Sequence, residues 1–395
     1  MKEFRKSCTA NINLLLMKGM KEMEPLVSVV MTNHNYGAFV AGAIQSVIDQ
    51  TYTNWELILV DDASTDQSLE KIRSFSDPRI KLIINKKNGH FAFATNQGRA
   101  IVHGKYIATL DSDDRWEKEK LARQVSYLEE HPETVACFTW VKCIDENGLF
   151  AEDSEMEQKF AARNRSRSEW IHDLILYGNC LNNPSSMFRR DVDDQLIRYN
   201  LAVIQLPDYD QWVRMIQSGE FYVLEEPLVR YRRIANGASI STPSMEKFHR
   251  HYLEEAWIIG NTIRNMDDQL FLEAFQKEML HHEAHTPEEI EIEKAMLLCS
   301  EHFDNAGVKL YGFEMMERLF QLESTAEQLR EKYGFSQHRL YQMTGNPIFF
   351  DPLCRLEEEK LRSRVTELED KVRLMEGSRW WKLGKQIRRL KNRDK

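Results

Sequence analysis

The sequence predicts an α/β fold built on a doubly wound, mostly parallel sheet flanked by helices, and three observations carry that prediction. Between Leu26 and Trp140, short runs of Val, Ile and Leu alternate with amphipathic segments of helical length. Two of the runs, Trp55-Glu-Leu-Ile-Leu-Val60 and Lys105-Tyr-Ile-Ala-Thr-Leu110, lead directly into carboxylates, Asp61-Asp62 and Asp111-Ser112-Asp113-Asp114. From Met245 onward strand signals stop and Glu, Met, Leu and His dominate, as in a helical domain. The chain accordingly divides into an N-terminal arm (1–24), the α/β domain (25–243), a helical domain (244–350) and a C-terminal stretch (351–395). That last stretch holds a short coiled-coil-like helix and a basic amphipathic tail.

Leu26-Val-Ser-Val-Val-Met-Thr32 reads as a buried first strand, because a parallel strand covered on both faces shows a near-continuous apolar run. Asn33-His34-Asn35-Tyr36-Gly37 is turn chemistry, after which Val40, Ile44, Val47 and Ile48 recur at helical spacing. The second strand is 55–60. The helix after it opens at Ser64 with Gln67 three residues on, the spacing of a capping box. Arg79–Ile84 and Lys105–Leu110 are the third and fourth strands. A helix over 117–130 stops before His131-Pro132, and Thr134–Trp140 is the fifth strand. Far downstream, Leu361, Val365, Leu368, Val372 and Met375 trace a 4-3-4-3 seam. Two heptads suit either a homo-oligomer paired through 353–376 or packing onto the same chain.

With 395 residues, 42% of them apolar, the chain can build two or three domains with ordinary cores. A net charge of −9 excludes a general nucleic-acid binder, although residues 379–395 alone carry +7 and the remainder −16. Cys8, Cys137, Cys143, Cys180, Cys299 and Cys354 lack CxxC spacing, which excludes a zinc ribbon or disulfide framework and fits a reducing cytoplasm. No apolar run reaches the ~18 residues that span a bilayer. Ile12–Met17 is too short and interrupted for a signal peptide, so membrane contact is expected only from the surface, at the inner face of the plasma membrane.

Carboxylates crowded at the end of a buried strand repel one another unless a cation joins them. Hard oxygen ligands suit Mg²⁺ or Mn²⁺, which in turn hold phosphate oxygens. Two acid-tipped strand ends therefore point to a nucleotide pocket at the carboxyl edge of the sheet. The competing reading has Asp111–Asp114 capping the helix near Glu117, with Asp114 best placed to do so. Capping needs one acid and not three.

The pieces Val27-Ser-Val-Val-Met-Thr-Asn-His-Asn-Tyr36, Ile44-Gln-Ser-Val-Ile-Asp-Gln-Thr-Tyr52 and Glu56-Leu-Ile-Leu-Val-Asp-Asp-Ala-Ser64 follow in order. So do Ala94-Thr-Asn-Gln-Gly98, Leu110-Asp-Ser-Asp-Asp-Arg-Trp116, Asn183-Pro-Ser-Ser-Met-Phe-Arg-Arg190, Pro207-Asp-Tyr-Asp-Gln-Trp212 and Glu226-Pro-Leu-Val-Arg-Tyr-Arg232. Together they resemble the inverting, nucleotide-sugar glycosyltransferases of family 2, which have the GT-A fold. The resemblance leaves the helical domain uncovered. It implies transfer of a sugar from a nucleotide-sugar donor, most simply UDP-linked, to a hydroxyl of a growing glycan or lipid-linked glycan, with Mn²⁺ or Mg²⁺ as cofactor.

The same resemblance assigns Asp113 to the metal and Asp111 to the ribose or the metal. Asp62 would read the nucleobase, with Thr32 and His34 beside it, and Asn88, Gly89 and Asn96 would lie beneath the donor. Thr95 stands where an Arg is common. One of Asp61 and Asp62 is expected to serve the turn instead. The family's base is the Asp of a Glu-Asp pair ahead of an aromatic residue. Here Pro207 replaces the Glu, so Asp208 is the expected base and Asp210 the second candidate. Arg232 is expected at the diphosphate or in a surface salt bridge, and Ile234 occupies the place of a common His. The Gln-x-x-Arg-Trp element of processive synthases is absent, which indicates single additions.

His281, His282 and His285 lack His-Glu-x-x-His order and read as a solvated helix face, and Trp212 reads as core. Trp380, Trp381, Leu383, Ile387 and Leu390 among Lys and Arg suit either a membrane surface or the protein's own body. Residues 377–385 also resemble a Trp-Arg/Lys segment at the ends of bacterial surface-polysaccharide transferases. Two other functions compete. A sugar-phosphate nucleotidyltransferase would carry a Gly-rich loop after the first strand, and none is present. A non-catalytic scaffold is favoured by Pro207 and Ile234, and opposed by the intact Asp111-Ser112-Asp113.

Overall fold

Strand β1 (Val27–Asn33) is the centre from which the sheet is wound. It pairs in parallel with β2 (Trp55–Asp61) on one side and β4 (Tyr106–Asp111) on the other, and β3 (Ile80–Ile84) extends the β2 edge. Successive side chains point to opposite faces, so Val27, Val29 and Met31 join one core while Val30 and Ile107 join the other. The structure, a computed structural model, describes residues 24–234, 244–345, 360–368 and 371.

Helix α1 (Val40–Ile48) buries Val40, Ala43, Ile44 and Val47, a stripe of helical period, in the same core as Val27, Val29 and Met31. After α2 (Ser68–Arg73) and β3, α3 (His90–Arg99) crosses close to the sheet. A Cβ on Gly98 would lie 2.9 Å from the Val30 Cγ1 atom, so the approach requires glycine there. The Ser64 capping box does not form: α2 starts at Ser68, and the Ser64 hydroxyl is drawn to the Asp61 carboxylate at 2.7 Å.

Beyond β4 the sheet becomes mixed. The elements are β5 (Arg115–Trp116), α4 (Lys120–Glu130), β6 (Thr134–Ile144), α5 (Ser154–Lys159), α6 (Arg167–Tyr177), β7 (Met187–Arg189), α7 (Asp194–Ile197), α8 (Pro207–Met215) and β8 (Glu220–Arg232). The strand order is β3-β2-β1-β4-β7-β6-β8-β5. β7 lies antiparallel between β4 and β6, β8 runs parallel to β6, and β5 runs antiparallel to β8. The expected fifth strand is thus β6. It is longer than anticipated and sits one strand away from β4. Helix α4 begins at Lys120 without a side-chain cap, so Asp114 does not cap it.

Residues 244–345 are helical: α9 (Met245–Asn265), α10 (Asp268–Phe275), α11 (Pro287–Cys299), α12 (Ala306–Gln321), α13 (Glu323–Glu331) and α14 (Gln337–Thr344). Ile258, Ile259 and Phe271 share one continuous core with Phe138, Trp170 and Trp212 of the α/β part. Trp212 is fully buried, edge-on to Phe138 at 4.9 Å. His281, His282 and His285 lie in the connection between α10 and α11, not on a helix face; His282 Nδ1 is 2.5 Å from the Gln276 carbonyl, and His281 meets the Tyr333 ring edge-on. Among the described residues no helix is long and apolar enough to cross a membrane. Residues 360–368 are helical, with Leu361, Val365 and Leu368 exposed. The rest of the 353–376 seam, the 379–395 tail and residues 1–23 lie outside the described residues.

Candidate active site

The winding direction reverses between β1 and β4, and ligands of open α/β sheets collect at such a switch point. Thr32 lies there in register, opposite Val60 of β2 and Asp111 of β4. Among the described residues, Asn35, Ala63 and His90 are the non-glycine residues with positive φ, at 60°, 61° and 69°. Asn35 and Ala63 fall on the connections after β1 and β2, and His90 opens α3 after β3, so backbone strain gathers on one rim of the sheet.

Of the two acids after β2, Asp61 serves the turn. Its carboxylate accepts from Asn33 Nδ2 at 2.9 Å, from Ser64 N at 3.0 Å and from the Ser64 hydroxyl. Asp62 faces the β3–α3 connection, accepting from Asn85 Nδ2 at 2.7 Å and from the Gly89 amide at 3.0 Å. Four lone-pair sites and two incoming donors, with the Gly89 amide shared between both oxygens, leave it capacity for another donor. His34 Nδ1 donates to the Asp62 carbonyl at 2.7 Å, which leaves Nε2 as the acceptor beside Asn88 Nδ2 at 3.1 Å. Asn96 is spent on the fold, because its side-chain amide exchanges two hydrogen bonds with the Tyr199 backbone, at 2.8 and 2.9 Å.

The acidic loop after β4 is held by Arg232 of β8. The Arg232 amide donates to Asp114 Oδ1 at 2.7 Å, and Nε donates to the Asp113 carbonyl at 2.7 Å. Nη1 reaches the Asp145 and Glu146 carbonyls at 2.5 and 3.1 Å, and the guanidinium lies 4.7 Å over the Phe39 ring. Arg232 is only 4% exposed, so the surface salt bridge is excluded, and its buried Nη2 has no partner among the described residues. Asp114 is also buried, and its Oδ2 has no partner among the described residues. Burial, Asp113 and Asp208 together push Asp111 up to about 8. Burial raises Asp113 to about 6, against the pull of Arg232. The same acids, after burial, raise the phenol of Tyr36.

Across from this loop, Asp208 occupies the first turn of α8. Burial raises its carboxyl, while its own amide, the Tyr209 amide and Asn179 Nδ2, at 3.1 Å, hold it back. Asp210 is spent on Arg214, which approaches it through Nε at 3.0 Å and Nη2 at 2.8 Å. Both Asp111 and Asp208 also act on Tyr199, whose phenol is raised first by burial and then by these acids. Its hydroxyl donates to Asn183 at 3.0 Å, and the buried Arg99 guanidinium lies 4.1 Å over its ring. Neighbouring Asn182 is 4% exposed, and its Oδ1 has no partner among the described residues.

Residues 28–196 match the profile described as Glycosyl transferase family 2. TuaG of Bacillus subtilis (strain 168), assigned to teichuronic acid biosynthesis, is 30% identical over 223 residues, 56% of this chain and 84% of TuaG. The chain belongs to glycosyltransferase family 2. The glycosyltransferase EpsE, from the same organism as TuaG, is 40% identical to this family 2 chain over 215 residues, 53% of this chain and 73% of its own. The fold of Staphylococcus aureus TarS 1–349, solved with UDP-GlcNAc, superposes with a TM-score of 0.52 at 18% identity, over 81% of this chain and 92% of that one. The chain is thus a glycosyltransferase, and the nucleotidyltransferase and scaffold alternatives give way to that activity.

Among the described residues of this family 2 enzyme, no three His, Cys, Asp or Glu side chains converge to cage a metal. Asp111 and Asp113 still fit a divalent cation. Mg²⁺ and its like are held by one or two carboxylates together with waters and substrate phosphates, and burial raises both of these neighbouring carboxyls, a cost that a bound cation would offset. Asn179, Tyr199 and Arg99 do not stand out in the sequence, because each meets the site through a contact distant along the chain. The Asn179-to-Asn183 stretch, with three asparagines in five residues, is the one sign that the sequence offers.

Proposed function

We propose that the protein is a metal-dependent, inverting glycosyltransferase that moves one sugar at a time from a UDP-sugar to a hydroxyl of a glycan, carried on a lipid at the membrane surface. The observation that carries this reading is the contrast between Asp208 and Asp210. Asp210 is locked to Arg214, whereas Asp208 lies close enough to Asp111 to raise it and, among the described residues, takes a side-chain hydrogen bond from Asn179 alone. Asp208 takes the proton from the acceptor hydroxyl as its oxygen bonds to the anomeric carbon and the bond to the diphosphate breaks. Asp111 and Asp113 would hold a divalent cation, which would supply positive charge to the departing diphosphate. Arg232 fixes the loop that presents these acids and offers its unspent Nη2 to the same anion. Asp62 accepts from the uracil ring, with His34 and Thr32 as neighbours.

The choice of UDP and of a lipid-linked acceptor draws support from WfgD of Escherichia coli. That UDP-Glc:alpha-D-GlcNAc-diphosphoundecaprenol beta-1,3-glucosyltransferase is 43% identical over 103 residues, 26% of this chain and 41% of WfgD. The test compares Asp208→Asn with Asp210→Asn in sugar transfer. Asp208→Asn is expected to lose at least about 100-fold in kcat, within the range of general base catalysis. Asp210→Asn is expected to keep turnover and lose about 1–2 kcal/mol of stability with its ion pair. Normal turnover by Asp208→Asn would move the base elsewhere.

A further inference from the structure

Helix α8 begins without a side-chain cap: Leu206 stands at its N-cap position and Pro207 at its first turn. The backbone amides leading into it nevertheless have a partner. Glu254, in the middle of α9 and 1% exposed, accepts from Ile204 N at 2.9 Å, from Gln205 N at 2.7 Å and from Leu206 N at 2.9 Å. A buried carboxylate needs such bonds to offset its desolvation, and three converging amides provide them. The last of the three lies two residues before Asp208.

We propose that Glu254 is a positioning residue for Asp208, so that the helical region sets the geometry of proton transfer. This role presupposes that Asp208 is the base. Other anchors of α8 act further along or from the sides: the Tyr209 hydroxyl donates to the Leu174 carbonyl at 2.7 Å, and Gln211 Nε2 donates to the Leu196 carbonyl at 2.9 Å. Glu254 alone among these grips the chain at its entry. Replacing one carboxylate oxygen by an amide nitrogen turns an acceptor towards N–H groups into a donor. The 204–206 segment must then shift and carry Asp208 with it. A displacement of about 1 Å can cost on the order of 100-fold in rate.

The test uses the full chain with Glu254→Gln and Glu254→Asp, alongside Asp208→Asn, reading kcat, donor KM and the dissociation constant of UDP in Mn²⁺. Glu254→Gln is expected to lower kcat by about 10- to 100-fold, with donor KM and UDP affinity within about twofold of wild type. Glu254→Asp, which keeps the charge, recovers part of the loss. Unchanged kcat in both variants overturns the proposal, as does a parallel loss of kcat, UDP affinity and melting temperature. If Glu254→Gln fails to fold, Glu254→Asp decides by the same split. Should Asp208→Asn turn over normally, the base assignment falls; should it be inactive while Glu254→Gln is normal, only the positioning role falls.

Discussion

Asp111 and Asp113 are held in a state that water would not give them, and their titration carries a consequence for stability. Burial raises both carboxyls, Asp111 to about 8 with Asp113 and Asp208 adding to the rise, and Asp113 to about 6, from an ordinary value of about 3.9. Between the ordinary value and these raised ones, the folded state binds more protons than the unfolded chain. The ligand-free protein should therefore lose stability as pH rises through that window, and a cation that needs both groups ionised should restore more of it at pH 8 than at pH 6. Melting temperatures with and without Mn²⁺ check this, and an Mn²⁺ increment that shrinks with rising pH would contradict it. At this scale the positions of Asp62, Asp111 and Asp113 were legible, because carboxylates at the ends of apolar runs have few other places to go. Glu254 and Asn179 were not. Each acts across 29 to 50 residues of chain, and no local pattern records that pairing.

Local patterns decide elements only where tertiary partners agree with them. Ser64 and Gln67 have capping-box spacing, yet the Asp61 carboxylate and the Asn35 amide claim the Ser64 hydroxyl and the helix starts later. β8 escaped notice because it carries adjacent Glu225 and Glu226 and a proline, features of a loop. The structure places Pro227 opposite Trp140, where the β6–β8 register shifts, a site at which a missing amide costs little. The three-residue β7 is too short for any period to show. Helix α3 supplies a test of its close approach to the sheet. Gly98→Ala should destabilise by about 1–3 kcal/mol, the usual cost of overpacking, because the added methyl meets Val30 and Val60. Chemical denaturation would show the loss, and an unchanged midpoint would mean that α3 can move outward freely.

Taken whole, the molecule couples a wound sheet to a helical region through one continuous core, and that union is what the sequence hid. Helical periodicity announced the helices but not the face of the sheet they would cover. The separation of charge was visible throughout, with +7 on residues 379–395 and −16 on the rest. A basic, tryptophan-bearing tail of this kind should bind vesicles containing anionic lipid, and the binding should weaken with salt and vanish on truncation after Ser378. Sedimentation with such vesicles would report it; equal pelleting of the truncated chain would favour a tail packed on the protein. The proposed mechanism requires a donor site that holds a nucleoside diphosphate through a cation at the acidic loop. Calorimetry of UDP binding, with and without Mn²⁺, on wild type and Asp113→Ala tests it most directly. Metal-dependent binding in the wild type that is lost in Asp113→Ala is the predicted result. UDP binding of equal strength with and without Mn²⁺, and unaffected by Asp113→Ala, would contradict it.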